Sequence, residues 1–564
     1  MIPSRRASLN GREKSAFLNR IFRTATVAAF AALTFLPVPV AAASQVRNST
    51  MPNYYHLVLE RERRLLFIGA PPSEADVESL RIRLEADGRW PDIDYDDTNP
   101  ANWKTLVALQ RVREMSLAFA NPRSVLYGDA SLEHAALSAL DDWIAHRYRN
   151  PNWWYNDIGV PTVMRDILIL QEGRLSETER AAALNILHDG VRAVAGGGAN
   201  TVWEAARGLD YALMTQDGPL AAQQTSLIAG EIKITGGEGI QSDYSFHQHG
   251  PRLQQFHYGA AFLSDTAQIA MVLRDTPWAI PANKVDILLS MILQGDQWMS
   301  RGNTTVPSTL DRAVSRPEVQ RIDLTGPIHC LSEASPGQAA ELAAVLAREN
   351  ENSPLVGFRS FPRSDFAAFQ RSGFSFFLKM VSTRTETTES INGENLKGHL
   401  LSCGDGYILR DGREYMDLPP VWDWDLLPGV TWAQGAGEVS RRAFVGALGD
   451  GTCGVAAMDY TFGSGDTLAL TARKFWACDG DTVVCLIADL TATRLDAPVR
   501  TALDQCLLQG PVEVGDSGGE HAVNKGFTAR PHLLDISLRH RVSSSLWHAR
   551  FAEDGTDFWF LALD

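Results

Sequence analysis

Near residue 350 the hydrophobic period of this chain switches from helical to strand-like, and few architectures accommodate that change. From about 55 to 350, apolar residues recur at three- and four-residue steps, the spacing of one helix face. The clearest segment begins at Ser176, with Glu179 three residues on as a capping box. It continues through Leu184, Leu187, Val191 and Val194 until Gly196-Gly197-Gly198 stops it. The same period predicts helices over 74–86, 101–119, 130–147, 161–172, 219–230, 260–274, 283–298 and 337–349. Loops between them suggest helical hairpins packed side by side, and no fixed repeat supports a standard solenoid. After about 355 the chain reads as strands. Phe366–Gln370 and Phe374–Met380 flank a Ser372-Gly373 turn, and short apolar runs follow at 405–410, 443–448, 454–458, 466–472, 482–489, 534–538 and 556–563. The expectation is an α+β multidomain chain, a helical domain over 50–350 followed by antiparallel β-sandwich sheets over 355–564.

The first stretch sets the expected compartment. Arg5, Arg6, Arg12, Lys14, Arg20 and Arg23 precede an apolar run from Val27 to Leu36, then prolines and Ala41-Ala42-Ala43. This is the pattern of a secretory signal over 1–43. A membrane anchor would need about 20 unbroken apolar residues. The mature chain is expected to be secreted or periplasmic and free of the membrane. Removing that segment, with six basic residues and one acid, takes the formal charge from −15 to −20. Such a surface repels nucleic acid, and at first sight it argues against any polyanionic partner. The six cysteines all lie from Cys330 onward, without C-x-x-C spacing, which argues against a zinc ribbon or thioredoxin-like site. Disulfides and buried thiols both remain open.

Five clusters carry chemistry. Asn152-Trp153-Trp154-Tyr155-Asn156 precedes a helix, and two adjacent tryptophans cannot both face one core from one helix side. At least one is a candidate platform for stacking a sugar. The stretch from Asp243 to Gly259 holds His247, His249 and His257, but no carboxylate or thiol partner set suggests a metal, so none is assigned. Structural histidines are the ordinary alternative. His249 is favoured as an acid/base group because Tyr258 follows within reach of a loop and a helix turn. Asn200 closes Gly198-Ala199-Asn200, a loop just after an expected helix end, where capping is its ordinary role. Arg312 and Arg316, four apart, can share a helix face and grip an anion, or simply form surface pairs. Asn392 to Gly398, with Glu394 and Asn395, is a polar turn at the start of the strand region.

Taken in order, the segments NWWYNDIGVP, GGAN, HQHGPRLQQFHYG, DRAVSR, NGENLKG and DWDLLPG resemble polysaccharide lyase family 8 over roughly residues 55–560. The resemblance implies an incomplete (α/α) toroid followed by antiparallel sheets, with no metal or organic cofactor. It makes Asn200, His249 and Tyr258 the catalytic trio, with Arg312 and Glu394 orienting and tuning Tyr258. Trp153, Trp154, Asn152, Arg252, Arg316 and Asn395 would bind substrate. Two features depart from the pattern. Asn200 is followed by Thr-Val-Trp where the family has an arginine, and the family's small C-terminal β domain is expected to be missing or truncated here.

The implied reaction is β-elimination on a uronic-acid-containing anionic polysaccharide, most simply a chondroitin- or hyaluronan-type glycan, by a monomer. Asn200 would neutralise the uronate carboxylate. Tyr258, made basic by Arg312 and His249, would take the C5 proton and return it to O4; His249 as base with Tyr258 as acid is the alternative. Xanthan or alginate are alternative substrates. A glycoside hydrolase using carboxylates such as Asp157 and Glu238, or a non-catalytic glycan-binding protein, are the competing readings. Arg252, Arg301, Arg312, Arg316 and Lys397 are expected to line one cleft in an otherwise acidic shell.

Overall fold

The computed structural model describes residues 53–191 and 197–507, apart from 465, 466, 494 and 496, together with the strand backbones of 512–516, 519–523, 533–539, 545–551 and 556–562. The expected signal over 1–43 and the end of the Ser176 segment at Val194 lie outside these residues. The helical part runs α1 (Tyr54–Leu66), α2 (Glu74–Arg83), α3 (Lys104–Ala120), α4 (Ala130–His146), α5 (Val160–Leu170), α6 (Glu177–His188), α7 (Ala199–Thr215), α8 (Gly218–Glu231), α9 (Ala260–Leu273), α10 (Ala282–Gln294), α11 (Thr325–Ala334) and α12 (Ala339–Glu351). Among the described residues no helix is long and apolar enough to cross a membrane.

Local chemistry sets these boundaries. Ser176 and Glu179 form the full reciprocal capping box, and α6 then buries Ala183, Leu184, Ile186 and Leu187. Its neighbour α7 is a helix that periodicity did not predict. A run of three glycines reads as a stop signal, and β-branched Thr201 and Val202 are weak helix formers. Tertiary contacts override both: α7 buries Val202, Ala205, Ala206, Leu209 and Leu213 against α9, in a core that also takes in α10 and α11. Asn200 therefore opens a helix instead of trailing one.

At the switch, α12 ends on Asn352 in the left-handed conformation, φ 50°, and β1 (Gly357–Phe361) begins five residues on. With β2 (Phe366–Gln370), β3 (Ser375–Lys379) and β4 (Asp405–Leu409) it forms a four-stranded antiparallel sheet. Every residue of β2, β3 and β4 is buried, so both faces are covered. That is why their sequences read as continuous apolar runs without alternation. One core joins Phe366, Phe369 and Phe377 of this sheet to Tyr460, Phe462 and Trp476 of a larger sheet, and to Leu253 and Phe256 from the helical part.

The larger sheet has eight strands, built on β5 (Val445–Gly449), β6 (Gly454–Ser464), β7 (Thr467–Asp479) and β8 (Thr482–Ala492). Its far half enters through a parallel pairing of 482–487 with 557–562, so the sheets are not antiparallel throughout. A three-stranded sheet around Arg500–Leu507 completes the region.

Candidate active site

The clusters singled out by sequence meet where the helical part faces the loops of the first sheet. Two five-residue π-helical turns, Tyr155–Gly159 and Gln255–Gly259, lead directly into α5 and α9. Such widened turns are uncommon and gather at functional positions. The second carries Tyr258, 7% exposed, with its ring 4.9 Å from that of His249 and 4.5 Å from that of His257. Arg312 Nη2 donates to the Tyr258 hydroxyl oxygen at 3.0 Å. One lone pair of the phenol is thereby engaged, and its own hydrogen is left for another acceptor.

His249 takes a left-handed backbone, φ 57°, rare for a residue with a side chain and characteristic of constrained sites. Its Nδ1 lies 2.9 and 3.0 Å from the two oxygens of Glu389, a residue that sequence reasoning passed over. Burial pushes the Glu389 carboxyl up, but the hydrogen bond and charge of His249 and the Arg312 guanidinium outweigh it and hold the group below its ordinary range. An ionised carboxylate only accepts, so Nδ1 of His249 carries a hydrogen in either state of the ring, and in the neutral imidazole the lone pair is on Nε2. Tyr258 goes the other way. Burial raises it above the usual phenol range, and the Arg312 cation only partly counters this. The Arg312 cation acts in the direction of the expectation that Tyr258 is made basic, but in the resting site desolvation outweighs it.

Arg312 is the hub. Besides Tyr258 it pairs with Glu389 through Nη1 and with Glu394 through Nε at 3.0 Å. Glu394 also receives Arg316, Nε at 2.6 Å and Nη2 at 3.0 Å. Glu394 therefore acts on Tyr258 through Arg312. Buried Asp311, pushed up to about 7 by burial and by the charge of Glu389, accepts from the backbone N–H of Arg312 at 2.5 Å and of Glu389 at 3.2 Å. One carboxyl thus locks the helical part to the sheet-domain loop.

Asn200 is the second residue of α7. The preceding Gly198 has φ 61°, and a Cβ there would come within 2.4 Å of Gln248 Oε1, so only glycine fits. Gln248, next to His249, accepts from Ala199 N at 3.1 Å and ties the start of α7 to the histidine loop. The Asn200 Oδ1 is buried and has no hydrogen-bond partner among the described residues. Trp153 is 45% exposed, while Trp154 is half-buried with its ring 6.2 Å from Trp203.

Other candidates sit differently. Asn152 spends its side chain on Pro100 O and Trp154 N, shaping the tryptophan loop. Asn395 is buried and donates to Thr388 Oγ1 and Glu389 O, fixing the loop from within. Arg252 binds Thr387 O, His249 O and Glu386. The expected basic cleft needs correction too. Arg252, Arg312 and Arg316 do gather, but they are matched by Glu386, Glu389 and Glu394. Lys397 is exposed on the outer part of its loop. Arg301 is 3% exposed and donates to the carbonyls of Arg371, Ser372 and Arg410, a buried tie between domains. Three unpaired buried carbonyls would be costly, so packing claims that arginine. Among the described residues no cluster of three or more His, Cys, Asp or Glu is arranged to hold a metal ion.

Comparison with known proteins agrees with this layout. Residues 70–345 match the profile described as polysaccharide lyase family 8, N terminal alpha-helical domain, and residues 356–551 match polysaccharide lyase family 8, super-sandwich domain. The chain belongs to polysaccharide lyase family 8. Among family 8 relatives, a chondroitinase-AC of Pedobacter heparinus is 29% identical over 455 residues, covering 76% of this chain and 63% of that protein. A xanthan lyase of Bacillus sp. strain GL1 is 24% identical over 560 residues, covering 88% and 59%. The chain thus spans about three-fifths of the length of these curated relatives. A solved chondroitinase AC lyase structure superposes with a TM-score of 0.75 at 27% identity, covering 88% of this chain and 75% of the other.

Sequence reasoning missed Glu389, Asp311 and Gln248 as contributors to the family 8 site. Glu389 lies five residues before Glu394 in the same polar stretch, but its partner His249 is 140 residues away. No local pattern announces that pairing.

Proposed function

We propose that this family 8 protein is a secreted polysaccharide lyase that cleaves a chondroitin- or hyaluronan-type uronate glycan by β-elimination. One observation carries the proposal: two rings 4.9 Å apart, an imidazole held at Nδ1 by Glu389 and a phenol whose oxygen accepts from Arg312. That is a base and an acid in one cleft. The uronate carboxylate resists further charge, so it must first be stabilised. Asn200, at the positive end of α7, offers neutral donors for this. His249 Nε2 then removes the C5 proton. The electrons form the C4–C5 double bond, the C4–O4 bond breaks, and O4 takes the proton of Tyr258. Arg312 steadies the phenolate that results. Water is not consumed.

The neutral donors also resolve the charge conflict. A cleft whose arginines are already matched by glutamates does not attract polyanions broadly, but it can recognise one carboxylate at a time. The hydrolase alternative fits less well: Asp157 is buried, and Glu238 is tied to Gln248 and Gly250 N. In this proposal residues 1–43 direct export to the periplasm or medium. The mature chain acts as a monomer, without a cofactor, membrane or nucleic-acid partner. The substrate is tested by ultraviolet absorbance on chondroitin, hyaluronan, xanthan, alginate and heparin. The proposal expects chondroitin or hyaluronan to be cleaved fastest, and absorbance only on xanthan or alginate would overturn the substrate assignment.

A second reading, with Tyr258 as phenolate base and then acid, is favoured by the Arg312 contact. The pH dependence separates the two. A phenol acting as acid must hold its proton, and its pKa is raised above the ordinary value of about 10. Activity (kcat/KM) should therefore stay level from about pH 8 to 10 and fall only above that. A phenolate base would instead make it climb roughly tenfold per pH unit across the same range.

A further inference from the structure

Thr201-Val202-Trp203, the stretch that departs from the family pattern after Asn200, places an aromatic ring between Tyr258 and Trp154. Trp203 is one helical turn beyond Asn200, so the two side chains leave α7 on the same face. Its ring lies 5.5 Å from that of Tyr258 at an interplanar angle of 40°, and 6.2 Å from that of Trp154 at 81°. Both separations fall in the range where aromatic pairs attract with a preferred orientation. The indole N–H donates to Asp265 Oδ2 at 2.7 Å. Asp265 stands on α9, the helix that continues from the π turn carrying Tyr258. Behind it lies the polar centre of the helical part, where Arg207 pairs with Asp210 at 2.9 Å and Arg165 with Asp166 at 2.7 Å.

The indole is thus fixed by rings on two sides and by a directional bond at its N–H. The bond to Asp265 satisfies the indole donor and also fixes the rotation of the ring, which packing alone would leave freer. Trp203 also bridges groups with different duties, the phenol of Tyr258 and the half-buried platform of Trp154. We propose that Trp203 is a positioning residue: anchored through Asp265, it sets the plane of the Tyr258 ring and its angle to Trp154. A sugar stacked on Trp154 then presents its O4 to the phenol. This inference rests on the lyase reading above and extends it to a residue outside the set named from sequence.

The test is steady-state kinetics of the wild type and of Trp203→Phe, Trp203→Leu, Asp265→Ala and the Trp203→Phe/Asp265→Ala pair, on whichever uronate glycan the wild type cleaves. Trp203→Phe keeps a ring but loses the anchor, so kcat should fall about tenfold with KM within about twofold. Trp203→Leu removes the ring and should lose roughly 100-fold in kcat, as expected when a reacting group shifts by about an ångström. Asp265→Ala should match Trp203→Phe, and the double variant should lose no more than the larger single loss. The inference is overturned if kcat stays within about threefold of wild type in both folded Trp203 variants. It is equally overturned if the loss falls on KM alone, or if the paired losses multiply. Should Trp203→Leu fail to fold, Trp203→Phe and the pair decide. A wild type that releases no unsaturated product from any uronate glycan would overturn the lyase reading itself, whereas an active wild type with unaffected variants would overturn only the role of Trp203.

Discussion

Tyr258→Phe is expected to lose roughly 10²–10⁴-fold in kcat while binding substrate about as well as the wild type. The substitution removes one oxygen and keeps the ring, so the packing against His249, His257 and Trp203 survives. What disappears is the proton for O4 and the acceptor for Arg312 Nη2. A leaving alkoxide without an acid must depart charged or wait for water, and the cleft that raises Tyr258 by burial also restricts water. Turnover is measured by product absorbance, and binding by calorimetry with the uncleaved glycan. A variant within about tenfold of wild type has lost only about 1.4 kcal/mol of barrier, too little for a proton-transfer group, and would remove Tyr258 from its role.

Glu389→Gln is expected to cost about 10²–10³-fold in kcat, with the larger part of the loss on His249. The carboxylate accepts from Nδ1 and so keeps the lone pair on Nε2, and it also neutralises Arg312. An amide at the same place can donate, which favours the opposite tautomer and turns Nε2 into a donor. The outer contacts through Glu394 and Asp311 stay, so the fold should persist. The check is kcat beside the melting temperature. Full activity in a folded Glu389→Gln protein would show that the tautomer of His249 does not matter, and Tyr258 would then be the base as well.

How far the chain could be read beforehand follows from where its information is local. The switch at 350 was legible because helices and strands impose different periods, and the capping box at Ser176 is complete within four residues. The start of α7 was not legible. Glycines and β-branched residues argue against a helix locally, and only Gln248 and the core beneath reverse that. The site divides in the same way. His249, Tyr258, Arg312 and Arg316 stand in short stretches with recognisable chemistry, and the structure places them together. Asn152 and Asn395 carry the right groups but spend them on backbone carbonyls, Asn152 across to Pro100 and Asn395 within its own loop. Arg301 looked like a cleft residue because charge in a sequence says nothing about which carbonyls lie nearby. Glu389 and Asp311 were invisible because their meaning comes from contacts across 140 and 78 residues.

The central claim is that this family 8 chain breaks its glycan by elimination. The most direct measurement is the mass and ultraviolet absorbance of the fragments that the wild-type protein releases from chondroitin or hyaluronan. Elimination predicts non-reducing ends that absorb and are lighter by one water than those of hydrolysis. Fragments that are saturated and carry that water, or an intact glycan that binds without being cut, would contradict it.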